Sequence, residues 1–161
     1  MDRFVSTFLN KIDAKGRVYF TDPKYLGAEP RELEHMAVYR LDPATGKVDE
    51  VTHDVGKPNG AVVSPDGKTL YVNESVQRNV WAFAITSTGE LAEKRLVKQF
   101  PDHGFDGMRC DVDGNLYITR YGKGTVAKMS PRGDILQEID VLGKAPSNLC
   151  FGGPDGRTVY V

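Results

Sequence analysis

Apolar and polar residues along this chain fall into short runs rather than helical stripes. Ala61-Val62-Val63 is an apolar run, Pro65-Asp66-Gly67 supplies turn chemistry, and Thr69 to Val72 is a β-branched and aromatic run beyond it. The same order returns in KIDAKGRVYFTD, VVSPDGKTLYVNES, RCDVDGNLYITRY and CFGGPDGRTVYV. The turn glycines of these segments are Gly16, Gly67, Gly114 and Gly156. Two further strands are expected in each complete unit: Met36 to Leu41 and Val48 to His53, Val80 to Ile85 and Leu91 to Phe100, then Thr125 to Met129 and Ile135 to Val141. No segment carries a convincing amphipathic helix period.

Four strands in roughly 40 to 50 residues is the arithmetic of a β-propeller blade. A sandwich or a meander barrel has no need of the same turn returning with the same flanks. The expectation is therefore an all-β chain, a β-propeller of about three and a half blades forming an incomplete ring. It is read as one domain over residues 1–161, with blades at about 11–57, 58–104 and 105–146 and the start of another at 147–161. Blades bury their faces against neighbours, so an open array is expected to associate with itself through its open blade faces.

Composition narrows the class without changing it. With 161 residues, 40% hydrophobic and 27% charged, the chain suits one globular domain. A formal net charge of −1 with scattered Lys and Arg gives no reason to expect nucleic acid or an anionic membrane as partner. No apolar run approaches the ~20 residues of a membrane helix. MDRFVSTFLNKID has an acidic second residue and no adequate apolar core for a signal peptide, so a cytosolic location is expected. Cys110 and Cys150 are too few for a disulfide scaffold or zinc site and are expected to be buried thiols. Asn73-Glu74-Ser75 fits a glycosylation sequon, but such triplets are common by chance.

Candidate chemistry comes from the register of the repeat. Asn59, Asp106 and Asn148 each lie eight residues before a turn glycine, at the start of the first strand of successive units. In a propeller those strands line the channel, so the three side chains are expected to converge at one end. Amide and carboxylate oxygens without Cys or His suit a hard cation such as Ca²⁺ or Mg²⁺. The competing reading is that each residue makes only a local Asx-turn. There is no Gly-rich phosphate loop, G-x-S-x-G elbow or Cys/His dyad, which disfavours Ser or Cys nucleophiles.

These segments resemble a known family. KPNGAVVSPDGKTLYV, FDGMRCDVDGNLYI and PSNLCFGGPDGRTVYV, in that order, are similar to the second half of the SMP-30/gluconolactonase/luciferin-regenerating-enzyme family. GRVYFTDPKY followed by HMAVYRLDPATGKV is similar to the blade before them, so the resemblance runs from about Lys11 to Val161. It implies a six-bladed propeller that holds one divalent cation at the channel mouth and hydrolyses lactones. Ca²⁺ is the expected ion, with Zn²⁺, Mn²⁺ or Mg²⁺ as alternatives. Asn59 matches the metal-binding Asn of the family's P-N-G motif, and Asp106 matches the metal-binding Asp and general base of its D-G-M motif. Asn148 matches a polar position of weaker role. The family's further ligand, a Glu of its first blade, has no counterpart in this chain. Its substrate-contacting Asn would align with Phe8, with Asn10 two residues along. Impaired activity is therefore expected of this chain by itself.

The polar insertion from Asp22 to Ala37 is placed where a substrate-covering loop belongs, and Tyr25, Arg31 and Glu34 are candidate substrate contacts. His103 is read as a surface loop residue and Arg109 as a contact between blades. His35 and His53 have no partner identifiable from sequence. The function expected is metal-dependent hydrolysis of a small-molecule sugar lactone. The alternatives are a non-catalytic propeller binding a small ligand or protein, or an inactive fragment.

Overall fold

The structure is a computed structural model and describes residues 8–25, 30 and 33–161, with the side chains of 8–11 excluded. Among the described residues it contains fourteen strands and no helix. The first sheet comprises β1 (Phe8–Ile12), β2 (Val18–Asp22), β3 (Ala37–Asp42) and β4 (Lys47–Thr52). The second comprises β5 (Pro58–Val63), β6 (Thr69–Glu74), β7 (Asn79–Ile85) and β8 (Leu91–Gln99). The third comprises β9 (Met108–Cys110), β10 (Leu116–Arg120), β11 (Thr125–Met129) and β12 (Ile135–Asp140), and a hairpin of β13 (Cys150–Gly152) and β14 (Thr158–Tyr160) follows. Each four-stranded sheet is an antiparallel meander in chain order, the repeat unit expected from the sequence.

The recurring turn is built the same way each time. The amides of Gly16, Gly67, Gly114 and Gly156 donate to the carbonyls of Asp13, Ser64, Asp111 and Gly153 at 2.9, 2.9, 3.0 and 3.2 Å. All four glycines have φ between 70° and 85°, a left-handed conformation that costs glycine nothing. Asp13 and Asp111 fix their turns further by accepting two backbone N–H bonds each through Oδ1.

Burial falls steeply from the first strands to the last. Every residue of β5 and all but the first of β6 are buried, whereas β12 is exposed almost throughout. The second sheet is covered on both faces, which explains its continuous apolar runs. Leu70 and Val72 face a cluster with Tyr19, Val38, Ala61 and Phe83 towards the first sheet. Tyr71, one residue out of phase, faces Met108, Leu116 and Ile118 of the third. β5 accordingly lies against β1 and β2 on one side and β9 on the other.

The cysteines depart from expectation. Cys110 is half-buried and Cys150 is exposed, because Cys150 opens β13, where only the middle and last residues reach partial cover. Asn73 departs in the other direction. It is fully buried on β6, so the Asn73-Glu74-Ser75 triplet cannot present its amide to a glycosylating enzyme in the folded chain.

Candidate functional site

Asn59 sits inside β5, at an irregularity between Pro58 and Ala61 where the β5–β6 register slips. Asp106 and Asn148 lie just ahead of β9 and β13, rather than within a strand. Glycine follows both Asn59 and Asp106, and close approach is the reason. A Cβ on Gly60 would stand 2.5 Å from the Asp106 carbonyl, and one on Gly107 would stand 2.5 Å from Oδ1 of Asn148. Each slot is thus pressed directly against the next.

The Asn59 amide is oriented by its surroundings. Nδ2 donates to the Phe105 carbonyl at 3.2 Å and to Ser75 Oγ at 3.0 Å. A carbonyl only accepts, so the nitrogen must face Phe105 and the oxygen must face away. Ser75 Oγ in turn donates a short bond to the Phe105 carbonyl. Asn59 is 4% exposed, and its Oδ1 is buried with no hydrogen-bond partner among the described residues. An acceptor left so in the dry interior is costly and calls for a donor or a cation.

Asp106 lies beside the Asn59 side chain. Burial pushes its carboxyl up to about 6, and only the Asn59 amide pulls in the opposite direction. Tyr25 completes the group. Burial raises its phenol, hydrogen bonding with the Ser75 and Asn59 side chains lowers it, and the Asp106 charge raises it. The Lys57 ammonium lies 4.5 Å from the centre of the Tyr25 ring. Asn148 is exposed, and its Oδ1 accepts from the Leu149 amide at 2.8 Å, a local turn bond. The structure therefore gathers Tyr25, Asn59 and Asp106, with Asn148 alongside Gly107. Glu34 is exposed in the segment before β3, while Arg31 lies outside the described residues, as do the side chains of Phe8 and Asn10.

Two supporting residues were not read from the sequence as part of the site. Asn73 accepts from the Gly60 amide at 3.0 Å and donates to the Asp106 carbonyl at 2.9 Å, tying the second sheet to the third beneath the site. Thr21, at the matching place in the first sheet, donates to the Asn59 carbonyl at 2.5 Å. The signal was present in the aligned YFT, YVN and YIT of the second strands, whose last residue is polar each time.

The remaining polar candidates resolve differently. His103 is exposed and lies 3.4 Å from an Asp102 carboxylate oxygen. The Arg109 guanidinium, depressed by burial, donates to the carbonyl of Met108 at 2.9 Å. His35 and His53, for which sequence offered no partner, are stacked with ring centres 4.1 Å apart. Nδ1 of His53 lies 2.6 Å, and Nδ1 of His35 3.5 Å, from Oε1 of Glu50. The three meet only once β3 and β4 pair, which spacing along the chain does not reveal.

A sequence model described as the SMP-30/gluconolactonase/luciferin-regenerating-enzyme-like region matches residues 10–161. The chain belongs to this family. It is 32% identical over 91% of its length to a gluconolactonase of Zymomonas mobilis, covering 44% of that protein. Among solved structures, it is similar to a gluconolactonase of Xanthomonas campestris with a TM-score of 0.78 and 30% identity, covering 94% of this chain and 54% of the other. A regucalcin of Agrobacterium tumefaciens described as calcium-binding shares the fold at a TM-score of 0.78 and 23% identity, with 93% and 50% covered. The chain spans about half the length of the relatives it matches.

Proposed function

We propose that this chain supplies the cation-holding part of a six-bladed β-propeller that hydrolyses a sugar lactone such as gluconolactone. One observation carries the reading: Asn59, whose buried oxygen has no partner among the described residues, is a neighbour of the desolvated Asp106 carboxylate. Those oxygens fit a hard divalent cation, Ca²⁺ first, although such an ion takes about six to eight oxygens and two are only part of its shell. When bound, the cation supplies Lewis acidity towards the lactone carbonyl and stabilises the charge that develops there.

The chain's own residues do the rest. Asp106 is ionised at neutral pH with or without an ion beside it, and is the carboxylate that takes a proton from an attacking water. Asn59 adds an oxygen without adding charge. Ser75 and the Phe105 carbonyl hold its amide nitrogen, so that oxygen is presented in one orientation. Tyr25, close to Asn59 and Asp106 and with Lys57 over its ring, is the residue assigned to meet the lactone's hydroxyl groups.

Acid release from gluconolactone tests the reading, in this chain and in assemblies completed with the N-terminal blades of a related enzyme. Hydrolysis that disappears with chelator and returns with Ca²⁺ or Mn²⁺ is expected. Chelator-insensitive hydrolysis, or none in the completed assembly, contradicts it.

A further inference from the structure

The His35, Glu50 and His53 cluster lies outside the site above and is built by an irregularity in the sheet. Residues three apart on a regular strand face opposite sides. Between β3 and β4, however, Val38 pairs with Thr52 and Tyr39 pairs with Glu50, so Val51 is an extra residue. That bulge brings the Glu50 carboxylate and the His53 ring to one side, in line with the usual effect of a bulge on side-chain aim. His35, just ahead of β3, reaches the same place from across the pair.

The three ligand atoms lie within 4.8 Å of one another. A tetrahedral ion with bonds of about 2.0–2.1 Å keeps its ligand atoms about 3.3–3.4 Å apart, so small side-chain rotations suffice. Glu50 is also set from behind, its Oε2 lying 3.5 Å from the Tyr39 hydroxyl. The Glu34 carboxylate lies 4.0 Å from Nε2 of His35, beside the ring nitrogen that does not face Glu50. Two imidazoles and a carboxylate are the donors of a borderline ion rather than of Ca²⁺ or Mg²⁺.

We propose that His35, Glu50 and His53 form a second, surface cation site, selective for a borderline divalent transition ion such as Zn²⁺. Its donors differ in kind from the amide and carboxylate oxygens of Asn59 and Asp106, so the two sites take different ions. Nδ1 of His53 and the Glu50 carboxylate must both bind without a proton, so an ion there replaces the hydrogen bond between them.

Calorimetric titration of the intact chain with ZnCl₂, in buffer containing millimolar Ca²⁺, tests this. One Zn²⁺ per chain is expected. His35→Ala and His53→Ala should each weaken binding by at least about tenfold, the loss seen even for outer partners of a ligand. Asp106→Asn should leave the Zn²⁺ isotherm unchanged. The two His side chains are 40% and 57% exposed, so unchanged thermal melts should accompany the loss. No Zn²⁺ binding by the parent chain, or an isotherm indifferent to both His substitutions, would show a surface ion cluster only and overturn the proposal.

Discussion

Asp106 and Glu50 are carboxylates whose protonation is driven in opposite directions. Asp106 lies at the buried end of the first strands, where removal from water lifts it to about 6. Glu50 lies on an outer strand, where the hydrogen bond from His53 holds it below the usual carboxylate range, against a smaller opposing effect of burial. Depth and company, not residue type, decide the difference. The inner carboxylate has the Asn59 amide as neighbour, and the outer one has two imidazoles. One arrangement suits a hard ion and proton abstraction, the other a borderline ion at the surface.

The contrast breaks most visibly in catalysis. In the completed assembly, Asp106→Ala should lower lactone hydrolysis by about 10²–10⁴-fold, the usual worth of a general base, and weaken Ca²⁺ binding with it. Glu50→Gln should leave hydrolysis unchanged. Equal losses from both would mean that the two carboxylates serve one site.

A methyl group at Gly60 tests how rigidly the inner carboxylate is held. Gly60→Ala places a carbon 2.5 Å from the Asp106 carbonyl and from the Asn73 amide nitrogen. Overpacking of this kind costs about 1–3 kcal/mol, so the melting temperature should drop and Ca²⁺ binding should weaken. An unchanged melt would mean that the second and third sheets separate easily there.

Stability against pH separates the two carboxylates by sign. The folded-state value of Asp106, about 6, lies above that of an unfolded Asp. The native state therefore binds the extra proton, and stability is lost as pH rises from about 4 through about 6. With chelator present, Asp106→Asn should recover about 1–2 kcal/mol at pH 8, allowing for partial exposure, and little at pH 4. Glu50 behaves oppositely. Its depressed value gives stability above the unfolded Glu range that is lost as pH falls through the folded-state value. At this exposed position the effect of Glu50→Gln should be only about a few tenths of a kcal/mol, read as a smaller acid-side change in denaturant midpoint.

Much of the sheet order was legible because a turn glycine is a backbone requirement. Gly16, Gly67, Gly114 and Gly156 each adopt a left-handed φ, and the strands they join follow from alternation. The register that aligned Asn59, Asp106 and Asn148 was legible for the same reason, since equal spacing from equal turns gives equal places. What spacing could not show was depth. Asn148 occupies the same slot as Asn59 yet is exposed, and the Cys150 thiol is exposed where a buried one was expected. Nor could it show contacts made across strands. Ser75 reaches Asn59 through the pairing of β5 with β6, and both meet the Phe105 carbonyl of the next unit. His35 and His53 meet only because β4 carries a bulge.

The central claim is that Asn59 and Asp106 together hold a cation, and the titration of one carboxyl carbon addresses it most directly. Carbon-13 NMR of Asp106 in the intact chain with chelator should give a midpoint near 6. Saturating Ca²⁺ should move that midpoint below the ordinary Asp value of about 3.9, because a cation at the carboxylate favours its charged form. Asn59→Ala should diminish that displacement at the same Ca²⁺ concentration. A midpoint that stays near 6 whether or not Ca²⁺ is present would contradict the account.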